Sequence, residues 1–319
     1  MQVSGQKIVV LGTGGTIAGT SAQAGDNIGY TAAQVGVDQL LTAVPGLQAL
    51  AGGALVAEQV AQIDSKDMDG EVWRTLALRC AHHLNDSEVR GVVITHGTDT
   101  LEETAWFLHE VLDAAKPVVL TCAMRPATAL TPDGPQNLLD AVATVLAPGA
   151  TGVLAVAAGE VHGARHVQKV HPYRVNAFSS GDAGPLGWVE EGVVRWACNS
   201  PVAQVDHADS AMNNIVNAVA WPWVEILMNH AGASGRAVDA LVREGVQGLV
   251  VACTGNGTIH HDLEAALVRA QNAGVRVVRS TRCAEGQVLP KPGDALPASR
   301  GLSPVKARVD LMLDLLRAH

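Results

Sequence analysis

Strand-like and helix-like segments alternate along most of this chain. The strand-like segments are short, apolar and rich in β-branched residues, as in 91–95, 117–122 and 248–252, which is typical of strands buried on both faces. Helix-like segments separate them, including one that ends near 146 and one over 263–273. Such alternation is the pattern of helices packed on a mostly parallel sheet, so the sequence predicts an α/β fold.

The alternation also predicts two domains. At 319 residues the chain is long enough for two ordinary hydrophobic cores. The pattern weakens after about residue 187 and resumes beyond Pro222. We therefore predict a larger N-terminal catalytic domain over 1–190, with a mostly parallel sheet flanked by helices, a linker over 191–220, and a smaller C-terminal α/β domain over 221–319.

Composition excludes several classes of function. The formal net charge of −9 argues against an extended nucleic-acid interface, and no apolar run is long enough to span a bilayer. The five cysteines are widely spaced and form no C-x-x-C pair, which favours reduced thiols over a disulfide framework or a zinc site. The first residues lack the apolar core of a signal peptide. We expect a cytoplasmic protein without nucleic-acid or membrane partners.

A glycine-rich turn follows the first strand-like run, at residues 12–19. Glycines let the backbone adopt positive φ and approach a ligand closely, and Thr16 lies inside this turn. The alternative is an ordinary strand-to-loop turn in which Thr16 caps the backbone. A dinucleotide fingerprint is excluded by Ile17, which stands where a third glycine or alanine is needed, and a phosphate loop by Thr20, which stands where lysine is needed.

A second turn of similar kind, residues 96–99, also follows a buried strand and carries Thr98. Ligands of open α/β sheets bind beyond the carboxyl ends of the strands, so two threonines in matching positions suggest a shared site. A threonine hydroxyl needs a neighbour to take its proton or lower its pKa, and the candidates are Tyr30 and Lys169. Alternatively, Lys169 is an ordinary surface lysine. A nearby Asp99 would favour the charged form of Lys169.

Other residues have structural interpretations or fail as catalytic motifs. Ser65 is expected to cap a helix that starts near Asp64, and the spacing of Thr100 and Glu103 predicts a capping box. Neither a G-x-S-x-G elbow nor an H-E-x-x-H motif occurs. The histidines at 162, 166 and 171 lack helical periodicity and have no carboxylate partner evident in the sequence, so we predict no metal site.

With both turns in view, the sequence resembles the bacterial L-asparaginase (asparaginase/glutaminase) family, and is closer to its periplasmic-type (type II) enzymes although without their signal peptide. Residues 13–19 match the family's first signature, and residues 96–100 followed by 102–105 match the second. The resemblance spans nearly the whole chain. It continues through 35–37, 67–68 with Trp73, 123–126, 133–135, 184–187, 255–257 and 306–308.

The resemblance implies roles for particular residues. Thr16 matches the family's nucleophile, and Tyr30 matches its hydroxyl partner on a mobile lid. A second catalytic group is matched by Thr98, Asp99 and Lys169, and Asp99 also matches the residue that holds the substrate's α-amino group. The same resemblance implies a homotetramer built from intimate dimers.

Two further positions match substrate contacts, and two others depart from the family's pattern. Ser65 matches a contact to the substrate carboxylate, and Asn256 matches a residue that reaches a neighbouring subunit's site. Lys66 stands where the enzymes that also hydrolyse glutamine have Gln, so we predict weak glutaminase activity. Those enzymes also place a Glu from the adjacent subunit near the substrate amine. Glu285 aligns only loosely with it and is not assigned that role.

The implied reaction is the hydrolysis of L-asparagine to L-aspartate and ammonia. It proceeds through an ester on Thr16, then attack by water near Thr98, without metal or cofactor. One alternative is a related amidohydrolase, such as the tRNA-dependent amidotransferase subunit that uses this fold, against which the acidic charge argues. The other is a non-catalytic amino-acid-binding or sensing protein on the same scaffold. The presence of Thr16 argues against it, because a binder needs no nucleophile.

Overall fold

Two separate sheets organise the chain, which divides into the units Met1–Asp209 and Ser210–His319. The structure is a computed structural model that describes residues 6–23, 25–197 and 208–317. Each unit combines a wholly or mostly parallel sheet with helices, so the predicted α/β class is confirmed. No helix in these described ranges combines the length and apolarity that crossing a bilayer requires.

The first unit holds ten strands and five helices within its described residues. The strands are β1 Lys7–Gly14, β2 Leu55–Ile63, β3 Val89–Thr95, β4 Val118–Thr121, β5 Val153–Ala157, β6 Glu160–Gly163, β7 Gln168–Lys169, β8 Phe178–Ser179, β9 Gly187–Glu190 and β10 Val193–Trp196. The helices are α1 Val37–Ala43, α2 Leu47–Ala51, α3 Gly70–Leu84, α4 Leu101–Val111 and α5 Gly134–Leu146.

Eight of these strands form one sheet in the order β10-β9-β6-β5-β4-β3-β1-β2. The neighbours from β2 to β5 pair in parallel, and β6, β9 and β10 extend the sheet with antiparallel pairs. Strands β7 and β8 pair separately. The parallel part has the strand order 2-1-3-4-5. The chain passes from β1 to β2 on one side and then crosses back to β3 on the other side of β1, so the direction of the connections reverses there. Ligand crevices of α/β folds form at such switch points.

Helices cover both faces of the parallel strands, which explains why those strands are apolar throughout. Val10 and Val93 belong to one buried cluster with Leu138 and Val142 of α5. Because side chains alternate along a strand, Val9 points to the opposite face, and it is also fully buried. Full burial of a valine or leucine contributes about 1.5–3 kcal/mol. The central strands are therefore a rigid base for the turns that follow them.

The predicted start of the helix near Asp64 is wrong, and so is the capping role of Ser65. Ser65–Asp67 form a single 3-10 turn, which Asp64 caps by accepting from the Lys66 N–H at 3.4 Å. Helix α3 begins only at Gly70, where Asp69 accepts from the Val72 N–H at 2.9 Å. Asp69 has an extended backbone, φ −135° and ψ 177°, so the 3-10 turn and α3 are separate elements. Ser65 is left for a longer-range contact.

The predicted capping box at Thr100 is also wrong, although α4 does begin at Leu101. The Thr100 side chain makes no capping hydrogen bond. Its hydroxyl instead donates to the Ser65 carbonyl at 2.8 Å. The Thr100 hydroxyl therefore bonds to a residue 35 positions away instead of capping the helix that follows it.

The second unit has its own strands and helices. The strands are β11 Val224–Met228, β12 Gly248–Cys253 and β13 Arg276–Thr281. The helices after α6, which spans Ala208–Asn217, are α7 Arg236–Arg243, α8 His261–Asn272 and α9 Pro304–Arg317. The strands form a parallel sheet in the order β11-β12-β13. The buried cluster includes Leu249 and Val251 of β12 and Leu263 and Leu267 of α8.

The predicted linker 191–220 contains both ordered elements and residues outside the described ranges. Strand β10 lies inside it and pairs antiparallel with β9 as part of the large sheet. A helix, α6, spans Ala208–Asn217 near the division at residue 209. Residues 198–207, which include the centre of the predicted linker, lie outside the described residues.

Candidate active site

Two turns meet at the carboxyl ends of β1 and β3. These strands are adjacent and parallel, with Gly12 opposite Thr95, so the segments that leave them begin side by side. Gly15 and Gly97 then bring the two turns into backbone contact: a Cβ on Gly15 would lie closer than 3.0 Å to both Cα and N of Gly97. The two signature segments therefore share one site in the first unit.

Thr16 lies in a 3-10 turn that directly follows Gly15. Its side chain is buried, and its Oγ1 lies 2.7 Å from the Tyr30 hydroxyl oxygen. Tyr30 is held there by the ends of its own loop, because Thr20 and Thr31 exchange backbone hydrogen bonds at 2.9 and 2.8 Å. The predicted pair of Thr16 and Tyr30 is thus in direct contact.

Thr98 and Asp99 are bridged by the ammonium of Lys169. Its Nζ donates to Thr98 Oγ1 at 2.7 Å and to Asp99 Oδ1 at 2.5 Å. The Lys169 side chain is 17% exposed, whereas that of Asp99 is 53% exposed. Lys169 is therefore not an ordinary surface lysine. Its backbone N–H is in turn held by Glu102 Oε1 at 3.1 Å, a contact that the sequence analysis did not anticipate.

Ser65 lies against the second turn. A Cβ on Gly97 would come closer than 3.0 Å to Ser65 Oγ and Cβ, so this approach requires glycine. Ser65 Oγ accepts from the Asp99 N–H at 3.2 Å, and the residue is 2% exposed. Among the described residues, its hydroxyl hydrogen has no acceptor. A ligand carboxylate would supply one.

Lys66 and Asn256, which the sequence also singled out, make their side-chain contacts outside the two threonine turns. Lys66, next to Ser65, pairs with Asp67, and its side chain is 60% exposed. The pKa of Lys66 is raised, chiefly by the hydrogen bond to Asp67. Asn256 belongs to the second unit, where its amide donates to the Leu289 carbonyl at 3.2 Å and accepts from the Leu289 N–H at 2.7 Å.

A neutral histidine lies beneath the second turn. His96 is fully buried, and burial lowers its pKa to about 4. Its ring contacts the Gly97 carbonyl and the Thr104 hydroxyl, at 2.7 and 2.9 Å. Thr104 lies within the second signature but was not predicted to have a role, because nothing in the local pattern distinguishes it from other residues on the buried face of α4.

His162 and His171, which were considered above as metal ligands, make hydrogen bonds with protein groups. His162 Nδ1 lies 2.9 Å from the Ser180 hydroxyl, and His171 Nδ1 accepts from the backbone N–H groups of Tyr173 and Arg174. Within the described part of the chain, the one set of close metal-ligand side chains is His260, His261 and Asp262, on the surface of the second unit.

Comparisons with known proteins find similar sequences along nearly the whole chain. Residues 7–202 match the family "Asparaginase, N-terminal", and residues 223–318 match "Glutaminase/Asparaginase C-terminal domain". The L-asparaginase 2 of Bacillus subtilis is 37% identical, over 98% of this chain and 83% of the relative. The glutaminase-asparaginase of Pseudomonas fluorescens biotype A is 38% identical, over 98% of this chain and 87% of the relative.

A solved structure extends the likeness to the fold. The probable cytoplasmic L-asparaginase of Campylobacter jejuni is 40% identical and superimposes with a TM-score of 0.89, over 97% of this chain and 94% of the other. The resemblance inferred from the two signatures is thereby confirmed. With both family domains matched and relatives aligned along almost its full length, the chain belongs to the asparaginase family.

Proposed function

We propose that this chain is an L-asparaginase, which hydrolyses L-asparagine to L-aspartate and ammonia with Thr16 as nucleophile. The contact between Gly15 and Gly97 carries the proposal, because it joins the Thr16 turn to the turn of Thr98. The names of the relatives, L-asparaginase and glutaminase-asparaginase, support the substrate class.

In the first half of the proposed reaction, Thr16 Oγ1 forms an ester with the side-chain carbonyl carbon and the C–N bond breaks. The hydroxyl must lose its proton, and the leaving nitrogen must gain one to depart as ammonia. The Tyr30 hydroxyl lies 2.7 Å from Thr16 Oγ1 and is in position to relay the proton that Thr16 loses.

The developing oxyanion needs donors that are not already used. Among the described residues, the backbone N–H groups of Thr16 and Thr98 donate to no protein acceptor. We assign these two groups to the oxyanion, since removal of one such donor typically slows a reaction about 10²–10³-fold.

Substrate would be oriented by two groups on the second turn. Asp99 Oδ1 accepts from Lys169, so Oδ2 is left for the α-ammonium of asparagine. The Ser65 hydroxyl is left for the α-carboxylate. In the second half of the reaction, a water held by Thr98 attacks the ester carbon and the bond from that carbon to Thr16 Oγ1 breaks. The water's proton returns to Thr16 Oγ1, and aspartate leaves. Lys169 fixes the Thr98 oxygen for this step.

Three finer features complete the proposal. We propose weak glutaminase activity because Lys66, paired with Asp67, replaces the glutamine of glutaminase-active enzymes. A homotetramer is proposed, in which Asn256 would reach a neighbouring site. A cytoplasmic location is proposed because the four described cysteines are free, although the relatives include a probable periplasmic enzyme of Haemophilus influenzae as well as the probable cytoplasmic one of Campylobacter jejuni.

Ammonia release from purified protein tests the proposal. L-asparagine should be hydrolysed, Thr16→Ala should lose at least about 10³-fold in kcat while staying folded, and L-glutamine should be a poor substrate. Binding of asparagine with heat but no ammonia would instead indicate a binding protein. Light scattering at dilute concentration gives the oligomeric state.

A further inference from the structure

A buried chain of three side chains ends on the carbonyl of Gly97. The Trp73 indole N–H donates to Thr104 Oγ1 at 2.9 Å. Thr104 Oγ1 lies 2.9 Å from His96 Nε2, and His96 Nδ1 lies 2.7 Å from the Gly97 oxygen. His96 and Thr104 are 0% exposed and Trp73 is 5% exposed, so water does not compete for these contacts.

The chemistry of the two ends fixes the direction of the two outer hydrogen bonds in this chain. A carbonyl oxygen only accepts, so His96 Nδ1 must carry a hydrogen. An indole N–H only donates, so the Thr104 oxygen accepts from Trp73. Burial lowers the pKa of His96 to about 4, so the ring is neutral at neutral pH. With its hydrogen on Nδ1, His96 Nε2 then accepts from the Thr104 hydroxyl.

We propose that these three side chains are positioning residues, which orient the Gly97–Thr98 peptide so that its N–H faces the oxyanion. The described peptide bonds are trans, so the Gly97 oxygen and the Thr98 N–H point to opposite sides of this unit. Because His96 holds the oxygen, the N–H is directed away from the imidazole. This inference deepens the proposed function and rests on it, since the oxyanion forms only if the amide is hydrolysed.

Two substitutions of His96 separate its two hydrogen bonds. Asparagine places an amide N–H near the position of Nδ1, so His96→Asn keeps the donor to Gly97 and loses the contact to Thr104. Glutamine places its polar atoms near the position of Nε2, so His96→Gln keeps the contact to Thr104 and loses the donor to Gly97. Neither side chain titrates, and both remove the same aromatic ring.

Steady-state kinetics on L-asparagine with the full-length protein give the decisive comparison. We expect His96→Gln to lower kcat about 10–100-fold with KM within about threefold, because a misdirected oxyanion donor weakens only transition-state binding. We expect His96→Asn, which keeps the donor to Gly97 but loses the support of Thr104, to lower kcat at least about threefold less than His96→Gln does. Equal losses in the two variants, no loss in His96→Gln, or a loss confined to KM would overturn the inference.

A second pair keeps the test decisive if a His96 variant does not fold. Thr104→Val removes the hydroxyl at nearly constant volume and should lower kcat, whereas Thr104→Ser keeps the hydroxyl and should restore it. Equal kcat in these two variants would refute the role of the chain while leaving the asparaginase proposal intact. Absence of ammonia release by the unsubstituted enzyme would refute that proposal, and this inference with it.

Discussion

Replacing Gly15 by alanine tests whether the contact between the two turns holds the site together. Gly15 has φ 79° and ψ −172°, a conformation that only glycine adopts readily. An added Cβ would meet backbone atoms of Gly97, which cannot rotate away as the end of a flexible side chain can. The substitution therefore combines backbone strain with a steric overlap between two turns.

The expected cost has two parts. Non-glycine residues in this region of φ and ψ cost about 1–3 kcal/mol, and overpacking of a tight interior adds about 1–3 kcal/mol. Gly184 offers a matched control, because it has φ 66° and ψ 171° but no atom within 4 Å of an added Cβ. Gly184→Ala should show the strain alone.

Thermal unfolding and kinetics of both variants measure the difference. In a unit of about 200 residues, 1 kcal/mol shifts Tm by about 2–4 °C, so Gly15→Ala should melt about 2–12 °C below Gly184→Ala. At 25 °C it should also lose about 10²-fold in kcat, because a shift of about 1 Å in the Thr98 turn misplaces reacting groups. Equal Tm and equal kcat in the two variants would refute the reasoning.

Three further outcomes are expected. Lys66→Gln should raise the ratio of glutaminase to asparaginase turnover at least about threefold, and an unchanged ratio would remove Lys66 from the account of specificity. Lys169→Met should lower kcat about 10²–10⁴-fold yet change the free energy of unfolding by less than about 1 kcal/mol, because its partner Asp99 is half exposed; a stability loss without a kinetic one would contradict this. The pKa of His96 is about 4 in the folded protein and 6.5 in the unfolded chain, so the unfolded state binds more protons between these values. Its contribution to stability is therefore complete above pH 6.5 and is lost as pH falls toward 4, by about 3 kcal/mol. Urea unfolding at pH 7 and pH 4 should show the stability difference between the unsubstituted protein and His96→Asn shrink by that amount, and a constant difference would contradict the neutral buried ring.

Most of the parallel strands were predictable because they are continuous apolar runs between turn residues. The run 91–95 was expected as a strand and lies within β3, Val89–Thr95. Strands β6, β9 and β10 were not anticipated, since each is four residues long and too short to show a clear periodicity. The pairing of β6 with β9 also depends on a contact that local periodicity does not encode.

The candidate site divides in the same way. The turns of Thr16 and Thr98 were recognisable because each follows a buried strand and carries a threonine in a matching position. The capping role predicted for Ser65 was wrong because its hydrogen-bond partner, the Asp99 N–H, lies 34 residues away. From the residues alone Lys169 was a candidate activator with an ordinary surface lysine as the alternative, and only the resemblance matched it to the catalytic group, since a two-residue strand gives no local signal.

The order of the strands has a consequence for how the enzyme should fail on heating. Neighbouring strands lie about 4.8 Å apart. The spacing between β1 and β3, rather than the conformation of any loop, therefore sets the separation of the two threonine turns. The backbone hydrogen bonds between β1 and β3 must break before the hydroxyls of Thr16 and Thr98 can move apart. Loss of the ability to react should therefore coincide with melting of the sheet centre, and amide hydrogens of β1 and β3 should be among the slowest to exchange.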